Sequence, residues 1–149
     1  MDEIYFDIVK SRVEDYKVVD IYINGWNLIE RLHAIELPFA ANEGNPSLAG
    51  AYEGLPPLMV LPPNKHFWGQ GNKDYTLQDG RTVLYEYAYS GVPGEWSFAV
   101  KIEVDSEGVS WDAFGNPKRN SWFYGVLGNY QFDLAQYRDA LKDAKNRSY

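Results

Sequence analysis

This sequence contains no cysteine, and that absence removes a whole set of chemistries. Disulfides, thiol nucleophiles and cysteine-ligated zinc all require a residue that the chain lacks. A domain without these aids is stabilised mainly by burying apolar side chains, and 149 residues are enough for one such core. We therefore expect a single domain over residues 1–149 and no cofactor.

The sequence also lacks a long apolar run. A membrane-spanning helix needs about 20 consecutive apolar residues, and no stretch of the chain approaches that length. The opening residues, Met1 to Ile4, are acidic and lack the positive charge and apolar stretch of a secretory leader. These features predict a cytoplasmic protein without a membrane partner.

The sequence has fewer basic than acidic residues. Lysine and arginine together number 14 against 21 aspartates and glutamates, which gives a net charge of −7. An acidic chain is repelled by nucleic-acid phosphates and by anionic lipids, whereas it attracts a basic protein. We therefore expect no nucleic-acid partner and consider a basic protein partner, although solubility alone also accounts for such a charge.

Recognisable catalytic motifs are missing as well. The chain has no Gly-x-Ser-x-Gly elbow, no Walker loop and no dinucleotide fingerprint. Its two histidines, His33 and His66, do not have the spacing of a metal site. Glu86 and Glu95 flank a turn, but the sequence does not define the separation of about 5–10 Å that a glycosidase pair requires. We predict no catalytic residue and no metal ligand.

Aromatic residues, in contrast, are abundant at 16% of the chain. Large rings bury much area per residue, so they predict either a ring-filled core or a ring-lined binding face. Alternating apolar and β-branched residues predict strands in five segments, with two short aromatic segments as further edge strands. The five segments are 4–9, 17–23, 81–89, 95–105 and 109–114, and the two short ones are 122–124 and 130–132.

Two helices are predicted from their caps and their apolar stripes. Asn27 precedes a stripe at helical spacing, and this helix is expected to end by Leu37 because Pro38 follows. Asp133 precedes the second stripe, whose helix is expected to fray from Lys142 onwards. The segment 38–64 holds six of the eight prolines and predicts a long loop, with a helical turn near 48–52, that wraps the core.

This order of elements predicts an α+β fold. We expect a mostly antiparallel sheet of about five or six strands with two helices, because runs of strands are separated by single helices. The long proline-rich loop completes the predicted architecture. Because its apolar residues, among them Leu58, need burial, we expect it to wrap the core and not to form a free linker.

The best candidate binding site is the segment 111–122. It combines large rings with one acid and one arginine in a turn-rich stretch, and arginine and tryptophan are enriched at binding hot spots. A structural role is the competing interpretation, since Arg119 stacked on Trp122, or paired with Asp112, would pin the loop against the sheet. The candidate residues, including neighbours on either side, are Glu95, Trp96, Trp111, Asp112, Arg119, Trp122 and Tyr124.

The same region resembles a family of small bacterial proteins without an assigned activity. The resemblance rests on a spaced pattern, Gly-Glu-Trp, then Trp-x-x-Phe, then Pro-x-Arg-x-x-Trp-x-Tyr, then Leu-Gly-x-Tyr-x-Phe-Asp, which runs from Gly94 to Asp133. Looser similarity covers most of residues 20–141. The resemblance implies a single domain but no function, and the cysteines often found in that family near positions 87–96 are absent here.

Three functional hypotheses remain open at this point. The first is a protein-binding module, such as an inhibitor or immunity-type protein acting on a basic partner, which suits the acidity and the missing catalytic motifs. The second is a binding protein for a sugar or an aromatic metabolite, with rings as walls and Glu95, Asp112 or Arg119 as orienting groups. The third is a hydrolase of unrecognised type.

Overall fold

The strands form two antiparallel sheets. The computed structural model describes residues 1–90 and 92–148, and within them three strands form one sheet in the order β1-β2-β3 and five form another in the order β4-β5-β6-β7-β8. The strands are β1 Ile4–Lys10, β2 Lys17–Ile23, β3 Trp26–Asn27, β4 Tyr52–Gly54, β5 Thr82–Tyr87, β6 Phe98–Val104, β7 Gly108–Gly115 and β8 Tyr130–Asp133.

The α+β class and the antiparallel pairing are therefore confirmed, and the five-stranded sheet has the predicted size, but the first three strands form a second sheet of their own. The sequence pattern missed β3 and β4, which have two and three residues and are too short to show an alternation. Conversely, the predicted strand 122–124 is a loop that leads into a 3₁₀ helix. Of the turn predicted at 91–94, Gly91 lies outside the described residues.

The described residues also form three α-helices and four short 3₁₀ helices. The α-helices are α1 Leu28–Asn42, α2 Pro57–Val60 and α3 Leu134–Arg147, with 3₁₀ helices at Pro46–Leu48, His66–Trp68, Lys73–Tyr75 and Gly125–Leu127. Both predicted caps are present: the Glu30 amide donates to the Asn27 side chain at 3.0 Å, and the Gln136 amide donates to Asp133 at 3.0 Å. The predicted fraying from Lys142 is wrong, because buried Ala144 holds the last turns against the core.

Pro38 does not end the first helix, contrary to the prediction. The helix continues to Asn42, with Pro38 inside it. Proline removes one backbone hydrogen bond, and its fixed φ still suits the helix. The turn after it is held by packing, since Ala40 is fully buried and the Phe39 ring stacks on Trp122 with centroids 6.0 Å apart. Tertiary contacts offset the local cost.

The rest of the predicted loop 38–64 is also more regular than expected. It contains β4 and α2, and its 3₁₀ turn lies at Pro46–Leu48, ahead of the predicted position. Leu58, which was expected to be buried, is 87% exposed. Because Val60 and Leu61 are buried at the end of this short helix, Leu58 on the opposite side points to solvent.

The two sheets are linked at both of their edges. On one side the Val19 amide of β2 donates to the Leu55 carbonyl just after β4, at 2.9 Å. On the other side Asp2, ahead of β1, forms a parallel bridge with Phe132 of β8. Apart from β3, which pairs only with β2, the strands therefore follow one another in a closed ring. One hydrophobic cluster, running in sequence from Ile4 to Ala144, contains side chains of both sheets.

Candidate functional site

A cleft of about 380 Å³ opens where β7 ends. Its walls are the end of β7 and the loop that follows, residues 116–129, together with Arg81 from the turn before β5. This loop alternates in burial: Trp122 and Tyr124 turn into the core, whereas Phe123 between them is 68% exposed. The Phe123 ring lies over Gly125, where a Cβ would approach the ring to 2.1 Å. The loop therefore presents one flat apolar ring at the cleft.

Arg119 clamps this loop to the end of α1. Its Nε donates to both carboxylate oxygens of Glu43, at 3.0 and 3.1 Å. Trp122 Nε1 donates to the same carboxylate at 2.8 Å. The guanidinium also lies over two rings, 5.0 Å from the centroid of Trp96 and 5.7 Å from that of Trp122. The predicted stacking of Arg119 on Trp122 is present, and its acidic partner is Glu43 instead of Asp112.

A buried carboxylate lies behind the cleft. Glu36 of α1 is fully buried and accepts hydrogen bonds from the hydroxyl of Tyr124 at 2.5 Å, the hydroxyl of Tyr52 at 2.6 Å and the amide of Gly50 at 2.9 Å. Burial raises the pKa of Glu36 above its ordinary value, against the opposing effect of these hydrogen bonds. The Tyr52 hydroxyl in turn accepts from Asn116 at 2.9 Å.

Two members of this buried network reach the cleft. Tyr124 and Asn116 both line it. Tyr124 donates directly to Glu36, whereas Asn116 is connected to Glu36 through the hydroxyl of Tyr52. Gly50 permits the arrangement, because its φ is +64° and a Cβ there would lie 2.7 Å from the Cβ of His33. The network fixes the position of the loop after β7 relative to α1.

Arg81 lines the cleft next to the end of β7. Its Nε donates to Asp79 at 2.9 Å and its Nη1 donates to the Ala113 carbonyl at 3.3 Å. Ala113 has a φ of +53°, a left-handed conformation that is rare outside glycine. Arg81 can lie this close because Gly115 has no side chain; a Cβ there would be 2.7 Å from Nη1. The guanidinium is therefore held from two sides.

The structure brings four of the seven predicted binding residues together. Arg119, Trp122 and Tyr124 line the cleft, and Trp96 lies beneath Arg119. Trp96, Trp122 and Tyr124 are all buried, so they support the loop and expose little of their surface. Of the candidate residues that line the cleft, Arg119 is the most accessible, with 31% of its side chain exposed.

The other three predicted residues lie elsewhere. Trp111 is fully buried, and its Nε1 donates to the Tyr137 hydroxyl at 3.1 Å. Glu95 is exposed and accepts from the Ser90 hydroxyl at 2.6 Å. Asp112 lies on β7 opposite Lys101, and its buried Oδ1 has no hydrogen-bond partner among the described residues. None of the three lines the cleft.

Sequence reasoning missed Glu36, Glu43 and Arg81. A signal for Glu36 was present, since it follows Leu28 and Leu32 at four-residue spacing and so falls on the buried stripe of α1. A carboxylate at such a position predicts buried hydrogen-bond partners. Glu43 and Arg81 carry no comparable local signal, because the contacts that bring them to the site, with Arg119 and with Ala113, join residues distant in the sequence.

The histidines and the paired glutamates do not form a site at the cleft. His66 is fully buried, its Nε2 donates to the Val83 carbonyl at 2.8 Å, and burial lowers its pKa to about 4. His33 is exposed on α1. Glu86 is buried and accepts from Ser97 and from the Gly94 amide, and burial raises its pKa. Within residues 1–90 and 92–148, no three acidic or histidine side chains cluster as metal ligands would.

A second depression, of about 610 Å³, lies on the outer side of β1 and β2. Its lining includes the carboxylates of Glu3 and Asp7 and the rings of Tyr5 and Tyr22. At its edge the guanidinium of Arg147 lies 4.8 Å from the Tyr5 centroid, with its Nη1 3.5 Å from Asp7. We call this surface the acidic depression.

Comparisons with known proteins add no assignment. No family model matches the sequence, no curated protein matches it and no solved structure matches it. The resemblance drawn from the aromatic spacing therefore stays a prediction. Among the described helices, none has the length and apolar character needed to cross a membrane.

Proposed function

We propose that this protein binds a small molecule in the cleft between the loop 116–129 and Arg81. The observation that carries the proposal is the form of the cleft: a concavity with an exposed ring, Phe123, and convergent polar side chains on rigid supports. Ligand sites typically combine apolar walls with a few fixed polar groups. The clamp of Arg119 and the buried network of Glu36 pre-organise the walls, which lowers the entropy cost of binding.

The experiment compares two matched surface variants. Phe123→Ser removes the ring at the cleft, and Val126→Ser removes an apolar side chain of similar exposure, 65%, that does not line it. A set of ring-bearing fragments is screened by NMR, with the indole N–H of Trp122 and the amides of Gly125 and Gly128 as reporters. We expect binding in the Val126→Ser variant and a loss of binding in Phe123→Ser.

The result can also contradict the proposal. Fragments that shift none of these signals at millimolar concentration, or that bind equally to both variants, would show that the cleft is not a ligand site. Since both side chains are largely exposed, neither substitution is expected to disturb the fold.

A second candidate function, binding of a basic protein, is supported by the acidic depression. Carboxylates beside tyrosine rings suit a guanidinium through ion pairing and cation–π contact, and Arg147 already makes both contacts with Asp7 and Tyr5. The net charge of −7 would speed the approach of a basic partner. Under this proposal the partner is a protein that presents arginine or lysine side chains.

Its test uses a change in charge at matched positions. Asp7→Asn removes one carboxylate of the depression, and Asp139→Asn removes an exposed carboxylate on α3 that does not line it. Binding of an arginine-rich peptide is measured at low and at high salt. We expect Asp7→Asn to bind the peptide more weakly than the wild type and Asp139→Asn to bind it equally well. Binding to the wild type should weaken as the salt concentration rises. Equal effects of the two substitutions would indicate that only the overall charge matters.

A further inference from the structure

The charged residues that line the cleft are of opposite sign to the net charge of the protein. The chain has seven more acidic than basic residues, yet the described residues that line the cleft include two arginines and no aspartate or glutamate. The acidic depression has the reverse composition, with two carboxylates and no basic residue in its lining. An anion is therefore expected to stay in this cleft only through directed contacts with the two arginines, because the surrounding acidic surface repels anions that have no specific contact.

Each of the two arginines is fixed by part of its guanidinium, and the rest makes no hydrogen bond to the described residues. In both Arg81 and Arg119, Nε donates to a carboxylate of the protein and Nη1 donates to a backbone carbonyl. Within residues 1–90 and 92–148, the side-chain hydrogen bonds of both arginines involve Nε and Nη1, and none involves Nη2. An arginine that is already fixed by its Nε edge loses little rotamer entropy when it binds a further anion.

The remaining polar groups of the cleft are neutral donors and acceptors. Asn120 and Asn129 line it and are exposed, whereas the amide of Asn116 is engaged with Tyr52 and the Lys118 backbone. Carboxylate and phosphate oxygens are the acceptors that guanidinium groups bind best, and amides supply further hydrogen bonds. Phe123 supplies a flat surface next to these donors.

We propose that the ligand of this cleft is a ring-bearing anion whose carboxylate or phosphate group is bound between Arg81 and Arg119, with its ring against Phe123. This inference rests on the proposed small-molecule function and specifies the chemical class of the ligand. The internal carboxylates of Asp79 and Glu43 neutralise part of the arginine charge, so recognition depends on directed hydrogen bonds as well as on charge.

The experiment uses four probes that share a benzene ring and differ in charge: benzoate, phenyl phosphate, neutral benzamide and cationic benzylamine. Affinities are measured by NMR titration of the Trp122 indole and the glycine amides of the cleft. We expect both anions to bind about 10- to 100-fold more tightly than benzamide, and benzylamine to bind least. The ratio of benzoate to phenyl phosphate distinguishes a carboxylate ligand from a phosphate ligand.

Variants test the role assigned to the arginine. Arg81→Gln should weaken the two anions by about 10-fold or more and leave benzamide unchanged, while Arg81→Lys, which keeps the charge and loses the planar fork, should fall between. Lys10→Gln is the matched control, because it removes the same charge at an exposed position that does not line the cleft. Circular dichroism of each variant verifies that the fold is retained.

Two outcomes would overturn the inference in different ways. If benzamide or benzylamine binds as tightly as benzoate and still requires Phe123, the cleft is a ligand site but not an anion site. If no probe shifts the signals of the cleft, the proposed small-molecule function fails together with the ligand class. Equal weakening by Arg81→Gln and Lys10→Gln would assign the effect to net charge, and the specific role of Arg81 would be rejected.

Discussion

The hydroxyl of Tyr124 donates to the buried carboxylate of Glu36, 88 positions earlier in the chain, at 2.5 Å. This contact joins α1 to the loop that forms the cleft. Its electrostatic consequence is that folding removes Glu36 from water, and burial raises its pKa above the ordinary value of 4.5. A carboxyl group whose folded pKa is raised stabilises the protein below the unfolded pKa, and that contribution is lost as pH rises through the folded pKa.

Glu36→Gln should therefore change how stability depends on pH. The amide cannot ionise, so the free energy of unfolding of the variant should rise relative to that of the wild type as pH increases above the ordinary carboxyl pKa of about 4.5. Urea denaturation at several pH values measures the difference. Glu30→Gln, an exposed position on the same helix, is the control. Parallel curves for Glu36→Gln and wild type would contradict the prediction.

His66 should make the protein sensitive to acid. Its pKa is lowered to about 4 by burial, whereas an unfolded chain titrates near 6.5, so the unfolded state binds more protons between these values. Stability that is present above pH 6.5 should fall as pH decreases towards 4, by about 3 kcal/mol in total from this group. His66→Gln, measured by urea denaturation, should lack this part of the loss, whereas the exposed His33→Gln should retain it.

Arg119 and Trp122 share Glu43, but their removal should have unequal effects on stability. Trp122 is buried against Phe39 and Trp96, so Trp122→Ala should lower the free energy of unfolding by about 3–5 kcal/mol. The ion pair of Arg119 is about one-third exposed, and Arg119→Ala should cost about 1 kcal/mol. Chemical denaturation of the two variants measures both losses in the free energy of unfolding. An equally large loss for Arg119→Ala would show that the clamp, more than the ring, holds the loop.

Gly54 should be intolerant of any side chain. A Cβ at this position would lie 1.7 Å from the Val19 carbonyl oxygen, where β4 meets β2. The clashing oxygen belongs to the backbone of β2, so the clash can be removed only if β2 and β4 move apart. We therefore expect Gly54→Ala to lower the free energy of unfolding by about 3 kcal/mol or more. Gly80→Ala is the control: its φ of +90° costs about 1–2 kcal/mol, and no atom lies within 4 Å. Similar midpoints of urea unfolding for the two variants would show that β4 and β2 are not packed this closely at Gly54.

Local features of the fold were predictable from the sequence. The caps Asn27 and Asp133 act within three residues, and the strand Gly108–Gly115 has an alternation long enough to be recognised. The end of α1 was not predictable, because the penalty of Pro38 is local while the packing of Phe39 and Ala40 that offsets it comes from distant residues.

The candidate site was predictable only in part, for a related reason. The segment from Trp96 to Tyr124 has the residue types of a binding site, and Arg119, Trp122 and Tyr124 do line the cleft. Residue type does not reveal which side of a strand faces the core, so Trp111 was predicted at a binding site and is in fact fully buried. Arg81, 38 residues before Arg119, joins the cleft only because β5, β6 and β7 are adjacent in the sheet.

The sequence by itself determined the α+β class, the caps of the two long helices and the excess of aromatic side chains for the core, because these depend on composition and on short-range periodicity. Only the tertiary structure decided that the sheets are linked at both edges, that Glu36 is buried among tyrosine hydroxyls and that two arginines flank one cleft on an acidic protein. These features depend on contacts between residues far apart in the chain, whose free energies are set by burial and by hydrogen bonding in the folded state.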